Sequence, residues 1–292
     1  MVAAGRFLLM FLILLSAGPA LAQEHRRYQL ADQLILWVLA DSRRDSNLGD
    51  VFPGREEIFS RYVPSGQAPA AILAFLLRSP EATILIDAGL GSGTLAKSLA
   101  EAGVVPGDIS LVLLTHLHGD HLGGLMTDDR LTFPNARIRL AGEENDFWLD
   151  EASLAKFPDR RANFDLARKI LPAYGAKVQP FEFGTEVAPG LTAVAALGHT
   201  PGHTAYLLST GKEKILFWGD LIHAAALQFP RPDLSPRYDL DPEAAAATRL
   251  EFLDLVAREG WIVAGAHLPF PGLGRVTAVP GESPSFAFTP LE

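Results

Sequence analysis

The 292-residue chain contains no cysteine. Disulfide staples, thiol nucleophiles and cysteine metal ligands are thereby excluded. Basic clusters are missing too. The 25 Lys and Arg stand against 34 Asp and Glu, for a net charge of −9, and no Lys/Arg-rich run offers a nucleic-acid-binding face. Past the N-terminus, no stretch has the unbroken apolar length that a bilayer span requires. No internal repeat or low-complexity linker divides the chain.

The one long apolar stretch stands at the start. Arg6 supplies a positive end, Phe7 to Leu15 an apolar core, and Ala20-Leu21-Ala22 a small-residue cleavage site. Residues 1–22 are therefore expected to be a signal peptide, with an uncleaved anchor as the alternative. Residues 23–292 then read as a single domain of a secreted, periplasmic protein. Such a chain buries roughly three quarters of its unfolded surface and needs no staple.

Against these absences stands one dense motif. Thr115-His116-Leu117-His118-Gly119-Asp120-His121 packs three imidazoles and a carboxylate into six residues, donors suited to Zn²⁺ or a similar divalent ion. The apolar run Ile109 to Leu114 before it reads as a buried strand, so the ligands leave the strand's carboxyl end, where α/β folds build sites. Gly119, Gly123 and Gly124 let the loop turn tightly. Three unrelated histidines clustered by chance would be the bland account.

Other histidines and acids fall at similar points. His199 and His203 lie in Gly198-His199-Thr200-Pro201-Gly202-His203-Thr204, a turn between two apolar strands. Asp220 ends the strand from Lys214, and His267 follows the short strand Trp261 to Ala264. Further strands are expected at Leu34 to Leu39, Ala71 to Leu77, Thr83 to Ile86, Lys177 to Phe183, Leu191 to Ala196 and Ala205 to Ser209. Helices are expected at Thr94 to Ala102, Glu143 to Leu149, Arg160 to Leu171 and from Asp241-Pro242-Glu243 to about Glu259; the last opens with a capping carboxylate and an N1 proline. Two β-rich halves, each ending in a helix, predict an α/β fold, an αββα sandwich with the site at one edge.

The pattern resembles the metallo-β-lactamase fold superfamily from about Ile72 to Phe270, in its hydrolase branch. Within that branch the segments Phe133-Pro134-Asn135-Ala136, Gly198 to Thr204, Gly219 to Ile222 and His267 to Gly274 are similar to the methyl parathion hydrolase group. The resemblance implies a dinuclear centre. His116, His118 and His203 would hold one metal, Asp120, His121 and His267 the other, and Asp220 would bridge. Zinc is the first candidate, with Mn²⁺, Fe²⁺ and Co²⁺ suited to the same donors.

That centre implies a hydroxide made near neutral pH between two cations roughly 3.5–4 Å apart. It would attack a neutral ester, lactone or organophosphate triester, with Asp120 and Asp220 as the catalytic carboxylates. Asp87 and His199 are expected behind the ligands, supporting their loops. Trp148 and Phe164 are expected around the pocket, with core packing as the alternative, and His223 facing substrate. The proline-rich loop 228–242 is expected to rim the site. Aromatic, weakly charged walls favour a small neutral or apolar substrate. A β-lactamase, a glyoxalase II-like thioesterase and a noncatalytic metal-binding protein are the other readings. The resembled group also implies a homodimer, although no sequence patch marks one.

Overall fold

A computed structural model describes residues 25–211, 213–281 and 284–291. The expected signal segment, residues 1–22, lies outside them. The described chain starts with an antiparallel meander of β1 (His25–Ala31), β2 (Leu34–Asn47) and β3 (Gln67–Arg78). Two short helices, α1 (Leu48–Val51) and α2 (Glu56–Tyr62), interrupt the β2–β3 connection. Strand β4 (Thr83–Ile86) follows, and helix α3 (Leu95–Glu101) crosses over to β5 (Leu111–Leu113), parallel to β4. Helix α4 (Gly119–Leu122) and a small hairpin, β6 (Met126–Thr127) with β7 (Arg130–Leu131), lead to β8 (Arg137–Arg139), parallel to β5. The first sheet thus runs β1-β2-β3-β4-β5-β8.

Helices α5 (Gly142–Leu149), α6 (Glu151–Lys156) and α7 (Arg161–Tyr174) cover that sheet's outer face before the chain enters the second sheet. Its strands are β9 (Glu186–Ala188), β10 (Leu191–Ala195), β11 (Thr204–Ser209) and β12 (Lys214–Phe217). After α8 (Ala225–Gln228) and α9 (Pro242–Glu259), they are joined by β13 (Ile262–Ala264), β14 (Leu273–Ala278) and β15 (Phe286–Pro290). The spatial order is β15-β14-β13-β12-β11-β10-β9, with β13 parallel to β12.

The period of two along each strand assigns its side chains to layers. Leu36, Val38 and Phe75 face the second sheet and meet Tyr206, Ile215 and Phe217; the Phe75 and Phe217 rings are 5.3 Å apart. Leu39 and Leu76 point the other way, onto Leu95, Leu99, Phe164 and Ile170. On the far side, Leu216 and Val263 pack against Phe252, Leu253 and Val256 of α9. The layers are α, β, β, α. The expected strand Lys177 to Phe183 does not form: only isolated bridges, Ile138 to Val178 and Ala141 to Phe181, are made, because Pro180 has no N–H to continue a ladder.

Helix α9 has the ends its sequence predicts. The Asp241 carboxylate accepts from Ala244 N–H, Pro242 stands at the first position, and Gly260 closes the helix in the left-handed conformation.

Candidate metal centre

Parallel pairing of β4, β5 and β8 sends the loops after them to one edge of the sandwich, and β12 and β13 end at the same edge. Two bonds tie the sheets together just beneath it. Tyr206 donates its hydroxyl to Leu114 O at 2.6 Å, and Thr204 N–H donates to Thr115 O at 2.9 Å. Asp220 stands at the centre of this edge, 2% exposed. Its Oδ2 lies 3.6 Å from His116 Nε2, 3.3 Å from His199 Nε2 and 3.1 Å from both His223 Nε2 and His267 Nε2; Oδ1 lies 3.1 Å from His121 Nε2.

The donors form overlapping groups. His116, His118, His199 and Asp220 converge in one, Asp120, His121 and His267 in a second, and Asp220, His223 and His267 in a third, each with its ligand atoms within 4.8 Å of one another. Two of these atoms, His121 Nε2 and Asp220 Oδ1, are buried 3.1 Å apart and make no well-directed hydrogen bond to each other or to any other described group. Unpaired buried polar atoms are unfavourable, and a shared cation between imidazole and carboxylate would satisfy both. The residues therefore fit divalent metal.

The geometry exchanges the roles expected for His199 and His203. His199 Nε2 lies 3.2 Å from His116 Nε2 and 3.0 Å from His118 Nδ1. His203 instead has both nitrogens engaged inside the protein: Nδ1 meets Ala196 O at 2.7 Å, and Nε2 accepts the Asp220 backbone N–H at 3.1 Å. A Nδ1–H donor with an Nε2 acceptor leaves no lone pair for a metal. Neighbouring Gly219 has φ +54°, and a Cβ there would meet His203 Nε2 at 2.5 Å. Only glycine admits this approach.

Carboxylates behind the imidazoles fix their directions. Asp87, at φ +60°, meets His121 Nδ1 at 2.8 Å and accepts from the backbone N–H and hydroxyl of Thr115 at 2.8 and 2.9 Å. Asp239 meets His199 Nδ1 at 2.7 Å and pairs on its other oxygen with Arg249 at 3.1 Å. Arg249 is itself 1% exposed and donates to the carbonyls of Leu221, Pro232 and Leu234. It thereby holds the loop that carries Asp239, and that loop in turn donates Leu240 N–H to His199 O.

Glu144, fully buried on α5, joins the two ligand loops. It accepts from Leu117 N–H at 2.9 Å and Trp148 Nε1 at 2.6 Å on one oxygen, and from the Thr200 hydroxyl at 2.7 Å and Gly202 N–H at 2.9 Å on the other. The sequence reading missed Glu144, Asp239 and Arg249. For Arg249 a signal existed: it shares the face of Ala245, Phe252, Leu253 and Val256, a lone charge in the apolar stripe of α9. Glu144 similarly stands one turn before Trp148. Asp239 sits in an irregular loop, and nothing local distinguishes it.

Protonation follows the charge distribution. Burial holds His116 and His118 well below the usual imidazole range, and takes His203 down to about 3 and His223 to about 4. Burial acts on His199 in the same sense, but hydrogen bonds to Asp220 and Asp239 outweigh it and push His199 up to about 9. Asp220 is itself kept well below the usual carboxylate range, the surrounding imidazoles overcoming its burial.

A cavity of about 420 Å³ opens above the cluster, lined by His118, Asp120, Asp220, His223 and His267. Trp148 and Phe164 are not among its walls. Both are fully buried, packed against each other at a tilt with ring centroids 4.7 Å apart, with Trp148 edge-on behind His118 at 5.6 Å. They are core, as the shared face of α5 and α7 dictates. The walls are instead Val51, Ile72, Leu90 and Tyr238 with Arg44 and Arg160, so the expectation of weak charge is corrected as well. Tyr238 brings the loop expected at the rim into the wall.

Residues 68–267 match the family model described as the Metallo-beta-lactamase superfamily. The chain belongs to that superfamily. Among solved structures, the hydrolase AbOPH in the beta lactamase superfamily is 31% identical, with a TM-score of 0.84 over 93% of this chain and 99% of that one. AidC, a dizinc quorum-quenching lactonase in complex with a product N-hexanoyl-L-homoserine, is 29% identical, with a TM-score of 0.82 over 92% and 97%. An N-acyl homoserine lactonase of Bacillus cereus is 25% identical over 238 residues, 73% of this chain and 87% of its own. The acyl-coenzyme A thioesterase MBLAC2 of Bos taurus is 26% identical over 170 residues, 52% of this chain and 59% of its own. As a member of the metallo-beta-lactamase superfamily with its His/Asp cluster in place, the chain is a metal-dependent hydrolase with the αββα fold its sequence predicts. Among the described residues, no helix is long and apolar enough to cross a membrane.

Proposed function

We propose that this hydrolase cleaves a carboxylic ester, lactone or phosphotriester bond with two divalent ions, zinc first among the candidates. His116, His118 and His199 would hold one ion, Asp120, His121 and His267 the other, with Asp220 between them. The observation that carries this reading is the His121 Nε2 and Asp220 Oδ1 pair, without a well-directed hydrogen bond and buried among convergent imidazoles at the floor of a cavity. When bound, such ions supply an activated water and Lewis-acid polarisation of the attacked oxygen.

The chain's own groups do the rest. Asp120 is half-buried at the cavity's edge, within reach of both water and substrate, and serves to accept the proton released on attack. His223 lines the cavity, and burial keeps it neutral at pH 7, so it adds no positive charge to the site and has a single ring N–H. It lies close to the carboxylate at the floor, 3.1 Å from Asp220 Oδ2. Val51, Ile72 and Leu90 shield the floor from solvent. Relatives named as lactonases favour a lactone among the three bond types. Residues 1–22 are proposed to direct export, which places the reaction in the periplasm.

The test is kcat/KM for the zinc-reconstituted protein on a dialkyl aryl phosphotriester, an aryl ester, an N-acyl homoserine lactone and a cephalosporin. A value above about 10⁴ M⁻¹s⁻¹ on one of the first three, abolished by chelator, supports the reading. Turnover of the cephalosporin alone contradicts it.

A further inference from the structure

Arg44 and Arg160 approach the same cavity from different elements, Arg44 from the outer half of β2 and Arg160 from the turn before α7. Acidic residues outnumber basic ones in this chain, and several of its arginines pair with them: Arg168 with Glu151 at 2.7 Å, Arg231 with Asp233 at 2.6 Å and Arg275 with Glu213 at 3.0 Å. The two cavity arginines do not. Among the described residues neither has a carboxylate within 4.0 Å. Arg160 donates to one neutral acceptor, Arg237 O at 2.6 Å. The cavity's own carboxylates, Asp120 and Asp220, are directed at His121 and His267 rather than at the guanidiniums.

A guanidinium is a planar fork of donors matched to carboxylate and phosphate oxygens. Two of them, uncompensated in the wall of a concave site, raise the local concentration of anions. A wholly neutral substrate would leave both cations at the cavity without a counter-charge. We infer that the substrate carries an oxyanion, a carboxylate or phosphate remote from the scissile bond, and that Arg44 and Arg160 bind it while the uncharged ester or thioester group lies over the His/Asp cluster. This rests on the hydrolase reading above, restricts it to anionic acyl substrates and adds thioesters to the bonds considered. Water adds across the acyl–oxygen or acyl–sulfur bond to give an acid and an alcohol or thiol, and the remote anion passes through unchanged.

Matched substrates test it. 4-Nitrophenyl butyrate and mono-4-nitrophenyl glutarate share an ester and differ in a terminal carboxylate. The butyryl thioesters of N-acetylcysteamine and of coenzyme A differ in phosphates. The anionic member of at least one pair should have the higher kcat/KM by about tenfold or more, the scale of a charged hydrogen bond, mainly through KM. The favoured pair distinguishes carboxylate from phosphate. The ratio should fall toward one in Arg44→Ala and in Arg160→Ala, and in 0.5 M salt, which screens the exposed contact. Equal or reversed preference in both pairs, or a preference that survives both substitutions, overturns the proposal. If none of the four is hydrolysed, the ester reading fails but the anion site is still open to measurement. Calorimetric titration of monomethyl glutarate should show binding to the wild type that each substitution weakens about tenfold, and no binding, or binding unaffected by either, refutes it. The Arg44 side chain makes no hydrogen bond or ion pair with any described residue, so its truncation leaves the fold intact.

Discussion

The backbone N–H of Asp220 donates to Nε2 of His203 at 3.1 Å. This contact holds the central carboxylate from behind and, with Ala196 O on the other ring nitrogen, occupies His203 fully. It separates the two histidines of the Gly198 to Thr204 turn into different tasks. His199 faces the other imidazoles, and His203 supports the strand end that presents Asp220.

Substitution should separate those tasks. His199→Ala is expected to lose at least half of the metal retained after dialysis, with a folded circular-dichroism spectrum. His203→Ala leaves a buried N–H unpaired and should destabilise by about 1–3 kcal/mol while keeping more metal than His199→Ala. Metal content by mass spectrometry and denaturant unfolding measure the two effects. The opposite order of metal loss would return His203 to the ligand set.

Glu144 is expected to be the most sensitive position outside the ligands. Glu144→Ala orphans four donors from Leu117, Trp148, Thr200 and Gly202, and should destabilise by about 3 kcal/mol or more. Glu144→Gln keeps an acceptor for Leu117 and Trp148 but turns an amide NH₂ toward Gly202 N–H, so a smaller loss is expected. Zinc affinity by chelator competition should fall in the same order. Full affinity in the alanine variant would show that the two loops do not depend on this bridge.

Arg249 and Asp239 form a buried pair, 1% and 5% exposed. Removing one member of such a pair strands the other and costs about 3–5 kcal/mol. Arg249→Leu should therefore unfold at lower denaturant than Asp239→Asn, since it also frees the carbonyls of Leu221, Pro232 and Leu234. Thermal melts and a double-mutant cycle measure the loss and the coupling. Additive effects of the two changes would deny the pair any shared role.

Tyr174 provides a pH signature. Its buried hydroxyl donates to Leu125 O at 2.9 Å and accepts Phe133 N–H at 3.3 Å, fixing the segment after the metal loop. Burial raises its pKa from 10.0 to about 12. The folded state therefore favours the neutral phenol. The associated stability is complete below pH 10 and is lost as pH rises from there through about 12. Melting temperature should fall over that window, and Tyr174→Phe should flatten the fall. An identical slope in the variant would assign the alkaline transition to other groups.

Much of the fold was legible because its signals are local. The apolar runs ending at Ile86, Leu114, Trp218 and Ala264 each stop at a polar residue or glycine that turns into the site, and the cap of α9 is written in Asp241-Pro242. Lys177 to Phe183 misled because alternation was counted without weighing Pro180. The edge strands β1 and β15, and β14 beside the latter, have patterns that only partner strands make sense of. In the site, spacing located the Gly198 to Thr204 turn but could not tell which histidine faces inward, because that depends on Gly219 closing against His203. Trp148 and Phe164 were legible as large apolar groups near the metal loop, yet their layer is set by the packing of α5 on α7. Glu144, Asp239 and Arg249 act across 10 to 58 residues of sequence, beyond the range of any local pattern.

The central claim is that the His/Asp cluster binds metal and that hydrolysis depends on it. The direct measurement is a zinc titration of metal-free protein, following hydrolysis of an N-acyl homoserine lactone or aryl ester. The account predicts no rate without metal and a rise that saturates at stoichiometric zinc, absent in Asp220→Ala. A rate already present in the metal-free protein, and unchanged by zinc, would contradict it.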